Sequence, residues 1–260
     1  YEVYLPVSND TAITVFMDHF YHISHGATVK GKKQKGSSQA QDLLLEQTIM
    51  DNGSLNLGNM LEAIPGVSTL KNGSGISKPV VHGLYGNRIT ILNNGVAQSG
   101  QQWGNDHSPE IDPLVANKIT VLKGVSALEY MGSNLGSVIL VEPKKIAREP
   151  HLHGRASYFF ESNGLGNGVN LQLQQSNKWF AWRVNGTIKK SGDKHSSTYY
   201  LTNTGTQESN VAVQLEKAIT KKWLAEVYFS SFNTELGVLR GSHIGNISDL
   251  TEAFTGSEPF

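Results

Sequence analysis

Apolar and polar positions alternate along this chain with two different periods. Leu57, Met60, Leu61 and Ile64 recur at i, i+3, i+4 and i+7, one face of a helix of about two turns, and Pro65-Gly66 stops it. Two β-type runs follow, Arg88-Ile89-Thr90-Ile91-Leu92 and Lys118-Ile119-Thr120-Val121-Leu122, closed by glycine turns at Asn93-Asn94-Gly95 and Lys123-Gly124. Residues 126–130 read as a short helical piece before a strand over 138–142. Upstream, Leu43, Leu44, Ile49 and Met50 predict a short helix or strand within residues 39–50. Residues 76–83 read as a strand that Pro79 keeps from a central position, with His82 facing the interior or its wall as a hydrogen-bonded histidine.

Beyond residue 154 the period is two. Ala156, Tyr158 and Phe160 oppose Arg155, Ser157 and Glu161; Val169, Leu171 and Leu173 oppose Asn170, Gln172 and Gln174. Phe180, Trp182, Val184 and Ile188 oppose Arg183, Asn185, Thr187 and Lys189. Val211, Val213 and Leu215 oppose Gln214 and Glu216, and Trp223, Ala225, Val227 and Phe229 oppose Glu226 and Ser230. Runs of about ten residues with one apolar face fit strands that cross a bilayer around a polar interior. A soluble sandwich alternates in the same way, and the aromatic residues near the run ends favour the bilayer. A lysine at Trp182 or Val184 is then expected to impair insertion, and one at Asn185 to be mild.

The segments Ile64-Pro65-Gly66-Val67, His82-Gly83, 89–96, 117–132 and 137–142 resemble, in order and spacing, the motifs "iPGv", "RG", "vlvLlDGv", "iErIEVlrGp.sa.yG" and "GvInivtk". These belong to the plug domain of TonB-dependent outer-membrane receptors. The chain departs from them at His82 (usually Arg), Asn94 (Asp), Thr120 (Glu) and Ser137 (Gly). The resemblance implies a mainly β protein with a small α+β plug. The rest would be the N-terminal portion of a transmembrane antiparallel β-barrel of about 22 strands when complete, occluded by that plug. Five alternating runs cannot close around a plug, so the chain is expected to be part of a longer one. The expected organisation is the tail of an N-terminal β-sandwich domain over 1–25, a TonB-box-like linker over 26–38, the plug over 39–147 and the first barrel strands and loops over 148–260.

Composition narrows the alternatives. At 38% hydrophobic residues a core is available, and no run is long enough for a transmembrane helix. Lys and Arg (22) balance Asp and Glu (22), which gives no case for nucleic acid binding. Zero cysteines exclude a disulfide scaffold and a cysteine-ligated zinc site and are compatible with the periplasmic side of an outer membrane. Tyr1 opens the chain without a signal-peptide pattern, which reads as a processed or truncated start.

Candidate chemistry lies in three places. His19, His22 and His25 are spaced for one side of a metal-binding helix or are a solvated linker. Ala27, Thr28, Val29 and Lys30 resemble the TonB box, whose free backbone groups would add a strand to a sheet edge of TonB; the alternative is a basic interdomain turn. The loop over 96–113 is long enough to be functional. The resemblance implies that it projects outwards and touches substrate through Gln101, Gln102, Trp103, Asp106, His107 and Glu110. Asp106, His107 and Glu110 offer oxygen and imidazole donors to a metal; alternatively the carboxylates brace a turn stiffened by Pro109 and Pro113. No catalytic constellation and no cofactor motif is present, so no enzyme is expected. The resemblance implies an importer of a scarce nutrient, an iron chelate or other metal complex, energised by TonB with ExbB and ExbD. It would contact outer-membrane lipid and, in some systems, a surface lipoprotein. A signalling receptor of the same architecture, an importer of glycan or another non-metal nutrient, and a soluble β-rich module remain as alternatives.

Overall fold

The computed structural model describes residues 41–73, 75–100, 104, 107–130, 136–220, 222–239, 241 and 244–257. All of them belong to one compact unit spanning Ser37–Phe260. Its first half is built from β1 (Gln41–Leu45), α1 (Glu46–Asp51), α2 (Leu57–Leu61), β2 (Val67–Asn72), β3 (Ile76–Val81), β4 (Ile89–Asn93), β5 (Val96–Ala97), β6 (Lys118–Lys123) and β7 (Ser137–Glu142). The segment before α2 is both of the forms its pattern allowed, a strand and then a helix.

Five of these strands form a mixed sheet in the order β1-β6-β7-β4-β5, parallel only between β4 and β7. Period two explains its burial. Ile139 and Val141 of β7 join Ile91, Ile119, Val121, Leu114 and the α2 residues Leu57, Met60 and Leu61 on one face. Val138 and Leu140 turn to the other face, where Leu92, Leu122 and Ala127 cover them. Central strands covered on both sides need continuous apolar runs, as Val138-Ile139-Leu140-Val141 is. Each fully buried aliphatic side chain here contributes about 1.5–3 kcal/mol.

Local turn chemistry sets the connections. Asn56 caps α2 by accepting from Asn59 N at 2.9 Å. After Ile64, Gly66 takes φ +74°, which an L side chain resists, and the chain reverses into β2. Asn94 (φ 49°) and Gly95 (φ 80°) make the two-residue hairpin between β4 and β5. Pro79 stands in the β2–β3 pair, a separate two-stranded sheet with no central strand. His82 departs from its expectation. It takes φ 49° in the turn after β3 and is exposed, because the reversal swings it off the strand face.

The second half is a long antiparallel sheet: β8 (His153–Glu161), β9 (Gly166–Ser176), β10 (Ala181–Ser191), then a small hairpin of β11 (Lys194–His195) and β12 (Tyr200–Leu201), β13 (Thr206–Ala218) and β14 (Leu224–Leu236). The order is β14-β13-β10-β9-β8, an open sheet, and α3 (Ile247–Thr255) follows it. One face bears Tyr158, Phe160, Val169, Leu171, Ile188, Val211, Leu215, Val227 and Phe229, all exposed. On the other face Asn170, Arg183, Asn185, Thr187, Asn210, Gln214 and Glu216 are buried against the first half. Asn185 is 2% exposed and its Oδ1 accepts from Asn170 Nδ2 at 3.1 Å, so a lysine there would bury a charge against the first half of the chain, whatever its effect on insertion. Phe159 also faces inwards and packs on the first core, where a Cβ at Gly53 would lie 2.2 Å from its ring.

Candidate functional site

The loop from β5 to β6 is pinned at its base. Ser108 Oγ accepts from Ser77 N at 2.8 Å, Lys78 Nζ donates to Gly104 O at 3.2 Å, and Pro109 and Ile111 are buried. His107 and Glu110 are exposed. Gln101, Gln102, Trp103 and Asp106 lie outside the described residues, as do Ala27, Thr28, Val29, Lys30, His19, His22 and His25. Among the described residues no group of three or more His, Asp or Glu is disposed to hold a metal. Beneath the loop Lys78 is 2% exposed, and burial lowers the pKa of its ammonium group.

Asp112 ends the loop as a brace. Its Oδ1 accepts from Leu114 N at 3.0 Å, and its Oδ2 accepts from Thr187 Oγ1 at 2.6 Å across to the long sheet. Thr187 in turn accepts from Asn170 Nδ2 at 2.8 Å. Nearer the start of β8 the two halves meet through charge. Arg183 donates to Gln174 Oε1 (2.7 Å from Nη2), to Gln214 Oε1 (3.2 Å) and to Lys144 O. Arg148 pairs with Glu216 at 2.7 Å, and Arg155 with Glu46. Asn94 Nδ2 donates to Glu226 Oε1 at 2.6 Å. An aspartate at position 94 would set two carboxylates against each other there, which gives the asparagine a physical reason. The seam is thus mostly hydrogen bonds and ion pairs, which water can replace one by one if the halves part.

A cleft of about 350 Å³ opens along the same seam at its other end. Asn56, Asn59, Phe159, Asn167, Lys189 and His195 are among its lining residues. The cleft is held open by a fixed frame. Lys194 pairs with Glu161 at 2.6 Å, Asn163 Nδ2 donates to His195 O at 2.9 Å, and the His195 and Tyr200 rings lie 3.6 Å apart. Carboxamides, ammonium groups and one phenyl ring suit a small polar ligand. Sequence reasoning missed this site because its residues come from separate segments; the only signal was the density of Asn around 163–170.

The connections fix which end is which. Residues 177–180 and 219–223 are short turns at one end; at the other end the short turn 162–165 stands beside the 192–205 connection, which carries a hairpin, and the chain after β14, which carries α3. The cleft and the β5–β6 loop lie towards the end with the longer connections.

Residues 33–138 match the family model described as TonB-dependent Receptor Plug Domain. Among solved structures, a copper transporter, OprC, superposes with a TM-score of 0.66 at 22% identity over 79% of this chain and 32% of that one. Pseudomonas aeruginosa FpvA bound to heterologous pyoverdines gives 0.63 at 16% identity over 77% and 26%. The siderophore receptor PirA from Acinetobacter baumannii gives 0.61 at 14% identity over 79% and 34%. The chain therefore spans about a third or less of the length of these structures. The likeness is one of fold: a plug against strands of a barrel wall.

Proposed function

We propose that this chain, which carries a TonB-dependent receptor plug domain over residues 33–138, is the plug and first wall strands of an outer-membrane importer for a metal complex. One observation carries the reading. The plug is seated by polar contacts on one face of a sheet whose opposite face is apolar and exposed, the arrangement of a gated pore in lipid. Short turns would face the periplasm and long connections the outside. Substrate would meet the cleft and the loop bearing Gln101, Gln102, Trp103, Asp106, His107 and Glu110. Periplasmic TonB, driven through ExbB and ExbD, would pair with Ala27, Thr28, Val29 and Lys30 by adding a strand, and its pull would open the polar seam. An iron or copper chelate is favoured by the exposed His107 and Glu110 and by the likeness in fold to a copper transporter and a siderophore receptor. Uptake of an uncharged polar nutrient is the second reading, favoured by the carboxamide lining of the cleft.

The test is to measure uptake and surface binding of labelled ferric and cupric chelates side by side on cells making the full-length protein. Deletion of residues 27–33 is expected to abolish uptake and spare binding; normal uptake would refute the coupling role. The triple change Asp106→Asn, His107→Gln, Glu110→Gln is expected to lower chelate binding at least about tenfold, or roughly 1.4 kcal/mol. Unchanged binding would transfer the loop to the second reading.

A further inference from the structure

The two short turns at one end of the wall, 177–180 and 219–223, repeat one device. In residues 177–180 Asn177 Oδ1 accepts from Trp179 N (2.8 Å) and Phe180 N (2.9 Å), and Asn177 N donates to Phe180 O at 2.9 Å. In residues 219–223 Thr220 Oγ1 accepts from Lys222 N (3.2 Å) and Trp223 N (3.1 Å), and Ile219 N donates to Trp223 O at 2.9 Å. Each side-chain-closed turn presents a Lys-Trp pair, Lys178-Trp179 and Lys222-Trp223, with the indoles 76% and 73% exposed. A third lysine, Lys217, follows outward-facing Leu215 by two positions in β13 and so shares its face. All three lysines are exposed, and none enters an ion pair among the described residues.

Charge is sorted across the sheet at this end. Glu216 and Glu226 point inwards and are taken by Arg148 (2.7 Å) and Asn94 (2.6 Å). Glu149, just before β8, stands 3.5 Å from His153. Lys217 shares the outer face with the apolar band of Trp182, Leu215 and Val227, and Lys178 and Lys222 stand in the turns at the end of that band. A soluble anion would use the ammonium groups but not the indoles or the band below them. A phospholipid uses all three: acyl chains on the band, the indole at the boundary and the phosphate on lysine, whose stem reaches up to the headgroup level.

We propose that Lys178, Lys217 and Lys222, with Trp179 and Trp223, form a seat for anionic phospholipids, headgroups of the phosphatidylglycerol type, in the leaflet at the short-turn end. The proposal rests on the membrane-spanning reading above. The seat holds the wall at a fixed depth, level with the charged part of the plug seam.

The full-length protein is reconstituted into nanodiscs of phosphatidylcholine with or without 30% phosphatidylglycerol, and tryptophan quenching by brominated forms of each lipid is compared. The difference between the parent and the Trp179→Phe/Trp223→Phe variant isolates the two indoles. Quenching of that component by brominated phosphatidylglycerol is expected to exceed its share of the lipid at least about threefold, since one lysine near an anionic surface is worth roughly fivefold. The preference should vanish in Lys178→Gln/Lys217→Gln/Lys222→Gln while quenching by brominated phosphatidylcholine persists. Quenching by each lipid in proportion to its share in the parent overturns the seat and leaves the membrane reading intact. No quenching by either lipid refutes the membrane reading itself. Tighter binding of soluble polyglutamate than of phosphatidylglycerol vesicles would make the rim a protein-docking surface and also overturn the proposal.

Discussion

Ile139 of β7 and Val184 of β10 both sit within a five-stranded sheet, yet the first is wholly buried and the second is 37% exposed. Their neighbours are reversed as well. In the plug the apolar faces of the sheet turn inwards and charged pairs such as Lys71–Glu62 stay at the surface. In the wall the charged and amide side chains Arg183, Asn185 and Glu216 are buried and the apolar ones look out. The plug is folded by water, with burial of apolar area as its main driving force. On the membrane reading proposed above, hydrocarbon covers the outer face of the wall, which in water would be an exposed apolar patch far larger than a monomer normally carries. Its inner face needs the plug, since the buried polar groups there are satisfied partly by plug residues.

The contrast is broken most directly by charge. Val184→Lys places an ammonium group on the outer face, at an expected cost of about 2–4 kcal/mol in urea-dependent folding into vesicles. Asn185→Lys, one residue away, is expected to leave insertion alone and loosen the plug, seen as faster proteolysis of residues 41–142 in the inserted protein. Equal effects of the two on insertion would mean that the faces do not differ as described.

A smaller effect is expected at the seam. Asp112→Ala removes the cap on Leu114 and leaves Thr187 without its acceptor, at a cost of about 1–3 kcal/mol to plug seating. Hydrogen exchange should rise in residues 107–116 while β8 to β10 keep their protection.

The smallest effect belongs to the plug surface. Hydrogen bonds from Thr69 and Lys71 hold the Glu62 carboxyl below its usual pKa. A depressed carboxylate stabilises the fold above its unfolded pKa, and that contribution is lost as the pH falls through the lower, folded pKa. At neutral pH Glu62→Gln should cost under about 1 kcal/mol, since the pair is largely solvated. The parent and the variant should converge in acid.

Much of this architecture was legible without coordinates. The Pro65-Gly66 stop, the Asn94-Gly95 turn and the apolar run of β7 are local chemistry, and they carried both the plug resemblance and the element order. The alternation after residue 154 told which side chains share a face. It did not tell what covers that face. Strands, turns and the split of each strand into two sides can be read from the residues, because those follow from backbone geometry over a few positions. Tertiary structure alone decided that Asn185 is sealed under the plug, that Phe159 joins the plug core and that Asn94 meets Glu226, 132 residues away. Such pairings depend on how two sheets dock, and docking is set by the summed fit of many side chains rather than by any local pattern.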